Sequence, residues 1–213
     1  MMAERKSARC DAVVLAAGAG RRFAGHGAGS SGGRKLLAPF EGRPLIAGAL
    51  DAAFAAPARR VLLVTDGDAD LAEAAAGHAA RLGRPDDLDI VVAVDAAEGM
   101  GASLRTAIAA LPPDSDGVFV FLGDMPCVPP GLARDLARAL RPGVDAVAPC
   151  FAGRRGHPVL FGRACYPALR RLEGDVGARE VLAALGGRLA LVDGPDDGVL
   201  FDVDRPEDLA RDR

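Results

Sequence analysis

Residues 13–22 read Val-Val-Leu-Ala-Ala-Gly-Ala-Gly-Arg-Arg, and Lys35-Leu36-Leu37 follow. An apolar β-type run from Asp11 to Ala17 ends abruptly at Gly18-Ala19-Gly20. A buried strand there gives way to a loop whose backbone N–H groups face outward. Two glycines let the main chain approach a ligand that a Cβ would hold off, and clustered amides favour an anion. Arg21, Arg22 and Lys35 add positive charge to the same loop. At the carboxyl end of a first strand, such a loop is the place for a nucleoside triphosphate. An ordinary strand-to-helix turn with solvated arginines uses the same residues. Two other glycine motifs are excluded. The dinucleotide fingerprint needs a third glycine and an immediate helix, and the Walker pattern needs Ser or Thr where Leu36 stands.

Two acidic groups could work with that loop. Asp124, in Leu122-Gly123-Asp124-Met125-Pro126, follows the apolar run 117–122 and falls at the same carboxyl edge. A carboxylate facing a polyphosphate is repulsive unless a divalent cation lies between them, and Mg²⁺ held by one or two carboxylates plus phosphate oxygens resolves the conflict. The second group is Asp202-Val203-Asp204-Arg205-Pro206-Glu207-Asp208. Alternate residues of a strand share a face, so Asp202 and Asp204 can both address one ion, or one of them can cap a final helix.

Composition narrows the partners. The chain has 213 residues, half apolar and a quarter charged, with a net charge of −3. It carries no basic field of the kind nucleic-acid binding needs, so a nucleic-acid partner is not expected. Cys10, Cys127, Cys150 and Cys165 are widely spaced and read as reduced, mostly buried thiols, not a disulfide frame or zinc site. The polar N-terminus is no signal peptide, and no apolar run approaches the ~18 residues of a membrane helix. A cytoplasmic protein without a membrane partner is expected.

Apolar β-type runs at 11–17, 60–65, 89–94, 117–122 and 144–149 alternate with helical patterns at 44–56, 68–82, 101–111 and 130–141. Continuous apolar strands are covered on both faces, and this alternation implies right-handed βαβ crossovers and a mostly parallel sheet. After residue 150 a loop through Arg155 and His157 enters a strand. Helices at 164–172 and 177–185, strands near 188–192 and 198–203, and a helix from Pro206 follow. With no dividing linker, one domain is expected over 1–213. Residues 24–34, rich in Gly, Ser and Ala, form a low-complexity insert expected to move without ligand.

Six short motifs in order carry a resemblance over about residues 11–210. They are Leu15-Ala16-Ala17-Gly18-x-Gly20-x-Arg22 with Lys35-Leu36-Leu37; Glu98 to Leu104; Gly123-Asp124-Met125-Pro126; Gly156-His157-Pro158; Gly174-Asp175-x-Gly177-Ala178-Arg179; and Asp202-Val203-Asp204-x-Pro206-Glu207-Asp208. On these the chain resembles the molybdenum-cofactor nucleotidyltransferases, most closely their cytidylyltransferase branch. The resemblance implies a three-layer α/β/α Rossmann-like nucleotidyltransferase fold, with a donor-nucleotide half at about 11–125 and an acceptor half at about 126–213. It implies CTP as donor, molybdopterin as acceptor, Mg²⁺ as cofactor and a molybdenum hydroxylase receiving the product.

The resemblance also assigns roles. Ala16, Ala17, Gly18, Gly20, Arg21 and Arg22 would surround the nucleotide, and Lys35 would neutralise charge at the α-phosphate. Asp124 and Asp204, with Asp202 beside them, would hold the metal. Gly99 and Ser103 would meet base or ribose, Arg155 and His157 the pterin or its phosphate, and Asp175 with Arg179 would order that half as an ion pair. Ala17 carries a Cβ where guanylyl-transferring relatives have glycine, which narrows the base pocket against a purine. Relatives place the lysine a few residues after the arginine turn; here the insert intervenes. A guanylyltransferase, a sugar- or small-phosphate nucleotidyltransferase, and a non-catalytic cofactor-insertion chaperone are the alternatives. A nicotinamide oxidoreductase lacks its third glycine and ribose-binding acid.

Overall fold

Strands that are apolar at every position need helices on both faces, and the computed structural model supplies them. It describes residues 9–18, 33–174 and 177–210. Strand β1 (Cys10–Leu15) is buried throughout, and β4 (Val61–Thr65) likewise. Strands β5 (Leu88–Val92) and β6 (Gly117–Leu122) complete the first set. A two-stranded ribbon, β2 (Pro39–Phe40) with β3 (Arg43–Pro44), stands apart. The second half contributes β7 (Ala146–Phe151), β8 (Arg154–Arg155), β9 (Val159–Gly162) and β10 (Leu189–Asp193).

The main sheet runs β10-β7-β9-β6-β1-β4-β5, with β8 paired to β7. Contacts of β1 with β4 and β6, of β4 with β5, and of β10 with β7 are parallel. Strand β9 runs against both β6 and β7. Because the chain leaves β1 for β4 on one side and later adds β6 on the other, the β1–β6 seam is where strand order reverses, and ligands of such sheets settle at its carboxyl end.

Side chains alternate between two buried layers. Ala12, Val14 and Ala16 join α2 (Ile46–Ala55), α3 (Ala69–Arg81) and α5 (Leu132–Ala139) on one face. Val13, Leu15 and Ala17 join α4 (Met100–Ala110), α6 (Tyr166–Leu169) and α7 (Arg179–Leu185) on the other. A short helix, α1 (Gly33–Leu37), carries Lys35. It begins inside the stretch read as insert; residues 24–32 lie outside the described residues. At the opposite edge of the sheet, Asp11 is fully buried and takes both oxygens of its charge to Arg59, at 2.8 and 3.2 Å. A buried carboxylate requires such a partner.

Three expectations are corrected. The strand near 198–203 does not form: Asp197–Val199 is a 3-10 turn, and the chain to Asp204 makes no ladder. Isolated main-chain bonds hold it instead, His157 N–H to Val199 O and Val203 N–H to Asp124 O. The helix expected at 164–172 is split into a 3-10 turn at Arg163–Cys165 and the four-residue α6, and the final helix is a 3-10 helix, Pro206–Ala210. Among the described residues no helix is long and apolar enough to cross a membrane.

Of the cysteines, Cys10 and Cys165 are buried while Cys127 and Cys150 are half-buried. Burial pushes the Cys10 and Cys165 thiols up to about 11 from 9.0. It pushes Tyr166 up to about 12, against a hydrogen bond with Ser115. These groups bind protons more tightly folded than unfolded, so their contribution is complete below pH 9 and is lost as pH rises through 11. Urea midpoints should therefore fall steadily across that window. In thiol labelling of the native protein at pH 8, Cys127 and Cys150 should react well before Cys10 and Cys165; equal rates would show that the buried pair is not sealed.

Candidate active site at the carboxyl edge of the sheet

Lys35 and Asp124 meet because their neighbours pack on each other. Gly123 follows β6, and its N–H donates to Leu15 O at 2.9 Å, extending the β1–β6 seam by one bond. A Cβ on Gly123 would lie 2.9 Å from Ile46 Cδ1 and 3.3 Å from Leu36 Cδ1, so the missing side chain is the room into which α1 and α2 close. Leu36 is buried there, and Lys35 beside it is only 8% exposed. Its Nζ donates to Asp124 Oδ2 at 2.8 Å. A second carboxylate, Asp204 Oδ1, lies 3.8 Å from the same nitrogen.

The turn that presents Asp124 is fixed from three sides. Met125 is buried, and its N–H returns to Leu122 O. On α2, a Cβ at Gly48 would stand 2.2 Å from Pro126 O, so the helix backbone leans directly on the turn. Val203, fully buried, donates its N–H to Asp124 O at 3.0 Å, which brings Asp204 alongside. Asp208 Oδ2 then accepts from the N–H groups of Asp204 and Arg205, at 2.9 and 2.8 Å. The alternation expected of a strand survives without one: Phe201 and Val203 are buried, Asp202 is exposed and Asp204 half-buried.

Although Asp202 is exposed as a residue, partial desolvation of its carboxyl, then the charges of Asp204 and Asp124, hold that group above the usual range, with Lys35 opposing. The acids at 124, 202 and 204 thus share one field with the Lys35 ammonium group. Among the described residues no three His, Cys, Asp or Glu side chains converge as a ready metal cage. Two carboxylates around one cation suit Mg²⁺ or Mn²⁺, which keep waters and phosphate oxygens in their remaining positions. The Lys35 ammonium, seated between Asp124 and Asp204, shows that the pair accepts a cation.

The other candidates spread along the same edge. Ala16 and Ala17 are buried at the end of β1, whereas Gly18 is exposed and a Cβ on it would meet nothing within 4 Å. Gly20, Arg21 and Arg22 lie outside the described residues, as does Asp175. Gly99, at φ 125°, turns the chain into α4, and Ser103 sits buried one turn on. A Cβ on Gly101 would stand 2.7 Å from Gly174 O, so the start of α4 packs on the backbone of the second half. Arg155 is exposed on β8, opposite Cys150, and joins none of the groups around Lys35 through a recorded bond.

His157 comes to the site through the reversed strand. Val159 pairs with Val120, so the residues ahead of β9 lie level with the end of β6. Burial holds the imidazole below its usual range, against a hydrogen bond to the Val120 backbone and the Asp124 charge; Arg179 adds to the lowering. Its Nδ1 is shut off from solvent and has no hydrogen-bond partner among the described residues. A neutral ring offers no fixed positive charge to a phosphate. Val203 and Asp208 belong to the C-terminal motif but were given no role from sequence, and Gly48 was not singled out. Gly48 left a signal, a glycine inside an apolar helical pattern, which marks close packing or a functional approach.

The described part of this edge gathers a buried ammonium, two carboxylates and the open backbone at Gly18, groups whose chemistry suits a phosphorylated ligand with a divalent ion. Residues 12–189 match the MobA-like NTP transferase domain. The chain belongs to that family. It is 31% identical over 202 residues to the purine catabolism protein PucB of Bacillus subtilis, covering 92% of each. It is 30% identical over 206 residues to the nicotine blue oxidoreductase of Paenarthrobacter nicotinovorans, covering 93% of this chain and 94% of that one. The crystal structure of Rv0371c from Mycobacterium tuberculosis superposes with a TM-score of 0.70 at 30% identity, covering 96% of this chain and 97% of that one. Rv0371c has also been crystallised in complex with manganese. The MobA-like protein is thus a nucleotidyltransferase, and its three-layer sheet is that family's fold.

If Gly48 sets the Asp124 turn, Gly48→Ala must push backbone from backbone. It should cost about 1–3 kcal/mol, the usual penalty of overpacking, and lower nucleotidyl transfer in the folded fraction. An unshifted denaturation midpoint with full activity would show that α2 can retreat without disturbing the site.

Proposed function

We propose that the protein transfers CMP from CTP to molybdopterin and releases pyrophosphate. The observation that supports it most is the Lys35–Asp124 pair, with Asp204 at 3.8 Å, at the carboxyl end of the β1–β6 seam. The donor half, about 11–125, holds the triphosphate on the loop after β1, where Gly18 faces open space. Gly20, Arg21 and Arg22 belong to the same cradle by position in sequence. The acceptor half, about 126–213, brings Arg155 and His157. An acceptor phosphate oxygen attacks the α-phosphorus in line with the leaving pyrophosphate. An ionised phosphate needs no general base, so positioning and charge neutralisation supply the rate. Lys35 leaves Asp124 for the α-phosphate, where its charge meets the negative charge that develops. Held by Asp124 and Asp204, with Asp202 nearby, Mg²⁺ would act as a Lewis acid on the phosphate oxygens.

Ala17 supports CTP. Its methyl is buried in the layer with Leu104 and Ala93, so the floor beneath a base at the end of β1 is closed by one carbon more than glycine would give. A single methyl discriminates by only about 1–3 kcal/mol, so Gly99 and Ser103 share the selection. Molybdopterin is supported by the family resemblance in the second half, and a molybdenum hydroxylase in the cytoplasm is the fitting receiver of the product. The oxidoreductase name of one relative does not transfer, because the first loop lacks the third glycine of a nicotinamide site.

The deciding experiment measures pyrophosphate release from each of the four triphosphates, with and without molybdopterin. CTP with molybdopterin should stand above all other combinations; equal release with a sugar phosphate would reassign the acceptor. Asp124→Ala should abolish transfer in a protein that still folds, with an unfolding midpoint lowered by the loss of the nearest carboxylate to buried Lys35, and near-normal turnover in saturating Mg²⁺ would refute the metal role. Lys35→Ala should lower kcat by on the order of 10²-fold or more, the scale of one lost transition-state contact, with a smaller effect on KM. Ala17→Gly should raise the GTP-to-CTP ratio of kcat/KM; an unchanged ratio places the selecting wall elsewhere.

A further inference from the structure

The chain has 26 basic residues, and only two of them, Lys6 and Lys35, are lysines. The difference in chemistry is specific to the place Lys35 occupies. An ammonium is a compact point charge with three rotatable donors on a flexible stem, whereas a guanidinium presents five donors in a rigid planar fork. Lys35 Nζ donates to Asp124 at 2.8 Å and lies 3.8 Å from Asp204, on a side chain that is almost wholly buried. Those two carboxylates are also the groups that would hold the divalent ion in the function proposed above. One pair of acids therefore faces two cations.

We propose that Lys35 is an exchangeable internal cation that holds Asp124 and Asp204 in register in the nucleotide-free protein, so that Lys35 and a divalent ion occupy the carboxylate pair alternately. Lys35 is then a positioning residue before it is a transfer residue. Its burial leaves it few other places to put its charge, because an unpaired buried ammonium is costly. A triphosphate gives it that place by offering phosphate oxygens. Metal arriving with the triphosphate takes the vacated carboxylates, while metal arriving alone must displace a charge that has no substitute partner. The site consequently binds metal weakly until nucleotide is present, and the lysine that assists transfer is also the group that opposes metal alone.

This inference rests on the assignment of Asp124 and Asp204 as metal holders, and its test reads metal binding without turnover. Mn²⁺ is titrated into the nucleotide-free protein and followed by the loss of the free-ion EPR signal. Lys35→Met should bind Mn²⁺ at least about tenfold more tightly than wild type, the factor that 1.4 kcal/mol supplies. Lys35→Arg, which keeps the charge, should stay within a few-fold of wild type, and Asp124→Asn added to Lys35→Met should cancel the gain. Should Lys35→Met not fold, wild-type protein gives the same answer: with Lys6 as internal standard, acetylation of Lys35 should accelerate when Mn²⁺ is bound. Unchanged or weaker Mn²⁺ binding in Lys35→Met, or Lys35 acetylation unmoved by Mn²⁺, overturns the proposal. Pyrophosphate release by the wild type, measured in parallel, separates the two ideas. Turnover without the Lys35→Met gain rejects the cation exchange alone, and the gain without turnover rejects the transfer reading alone.

Discussion

Everything at the carboxyl edge is arranged around one constraint: carboxylates brought together there need a cation among them. Asp124 cannot retreat, because its turn is pinned by Gly48 and Val203, and Asp204 is tied to it by a main-chain bond one residue away. Asp202 registers the same field, its carboxyl raised by burial and by both neighbours. Among the described residues the buried Lys35 ammonium meets this cluster, and no metal cage surrounds it. That choice fits the proposal that metal comes and goes with a polyphosphate, since a closed protein cage would bind the ion whether or not substrate were present.

The sheet turns this constraint into a place. The parallel core through β5, β4, β1 and β6 aims every strand end at one edge, and reversal of strand order at β1–β6 opens the crevice there. The antiparallel β9 has a different task. By running against β6 it starts at that same edge, so His157 and the chain leading to it arrive beside Asp124 from the opposite half. A wholly parallel sheet would begin the corresponding strand at the far edge. Main-chain bonds from His157 to Val199 and from Val203 to Asp124 close the circuit, and the C-terminal segment becomes a strap that joins the halves without being a strand.

This explains which features were legible in the sequence. The five apolar runs read correctly as strands because burial removes most polar residues from them, a local signal, although β1 keeps the buried Asp11 and the edge strand β5 leaves Ile90 and Val92 exposed. Asp124 was legible for the same reason, as the first acid beyond such a run. The 198–203 segment carried the right alternation, yet alternation reports which side chains are buried and not whether a neighbour offers a ladder; Phe201 and Val203 turn inward against the core instead. Lys35 could be placed near the triphosphate but not on a helix, because α1 spans five residues and follows a glycine-rich stretch with no cap or periodicity to announce it. What Gly48 packs against was beyond reach for another reason: its partner, Pro126, is distant in sequence, and only the fold brings their backbones together.

The same reasoning bears on why the edge tolerates a lysine and not another arginine. Two arginines elsewhere do work suited to a fork: Arg59 spans both oxygens of Asp11 and both of Asp114, and Arg105 reaches a carbonyl and two acids at once. Such a grip is strong because it is geometrically committed. On the exchange proposed above, commitment at Asp124 would be a fault, since the carboxylate would change partners during each cycle. A point charge on a flexible stem can bridge two acids, release both and follow a phosphate without leaving a shaped vacancy behind. The residue type at position 35 therefore reads as the solution to a problem of exchange and not of strength, and this ties the stability of the empty site to the chemistry of the filled one.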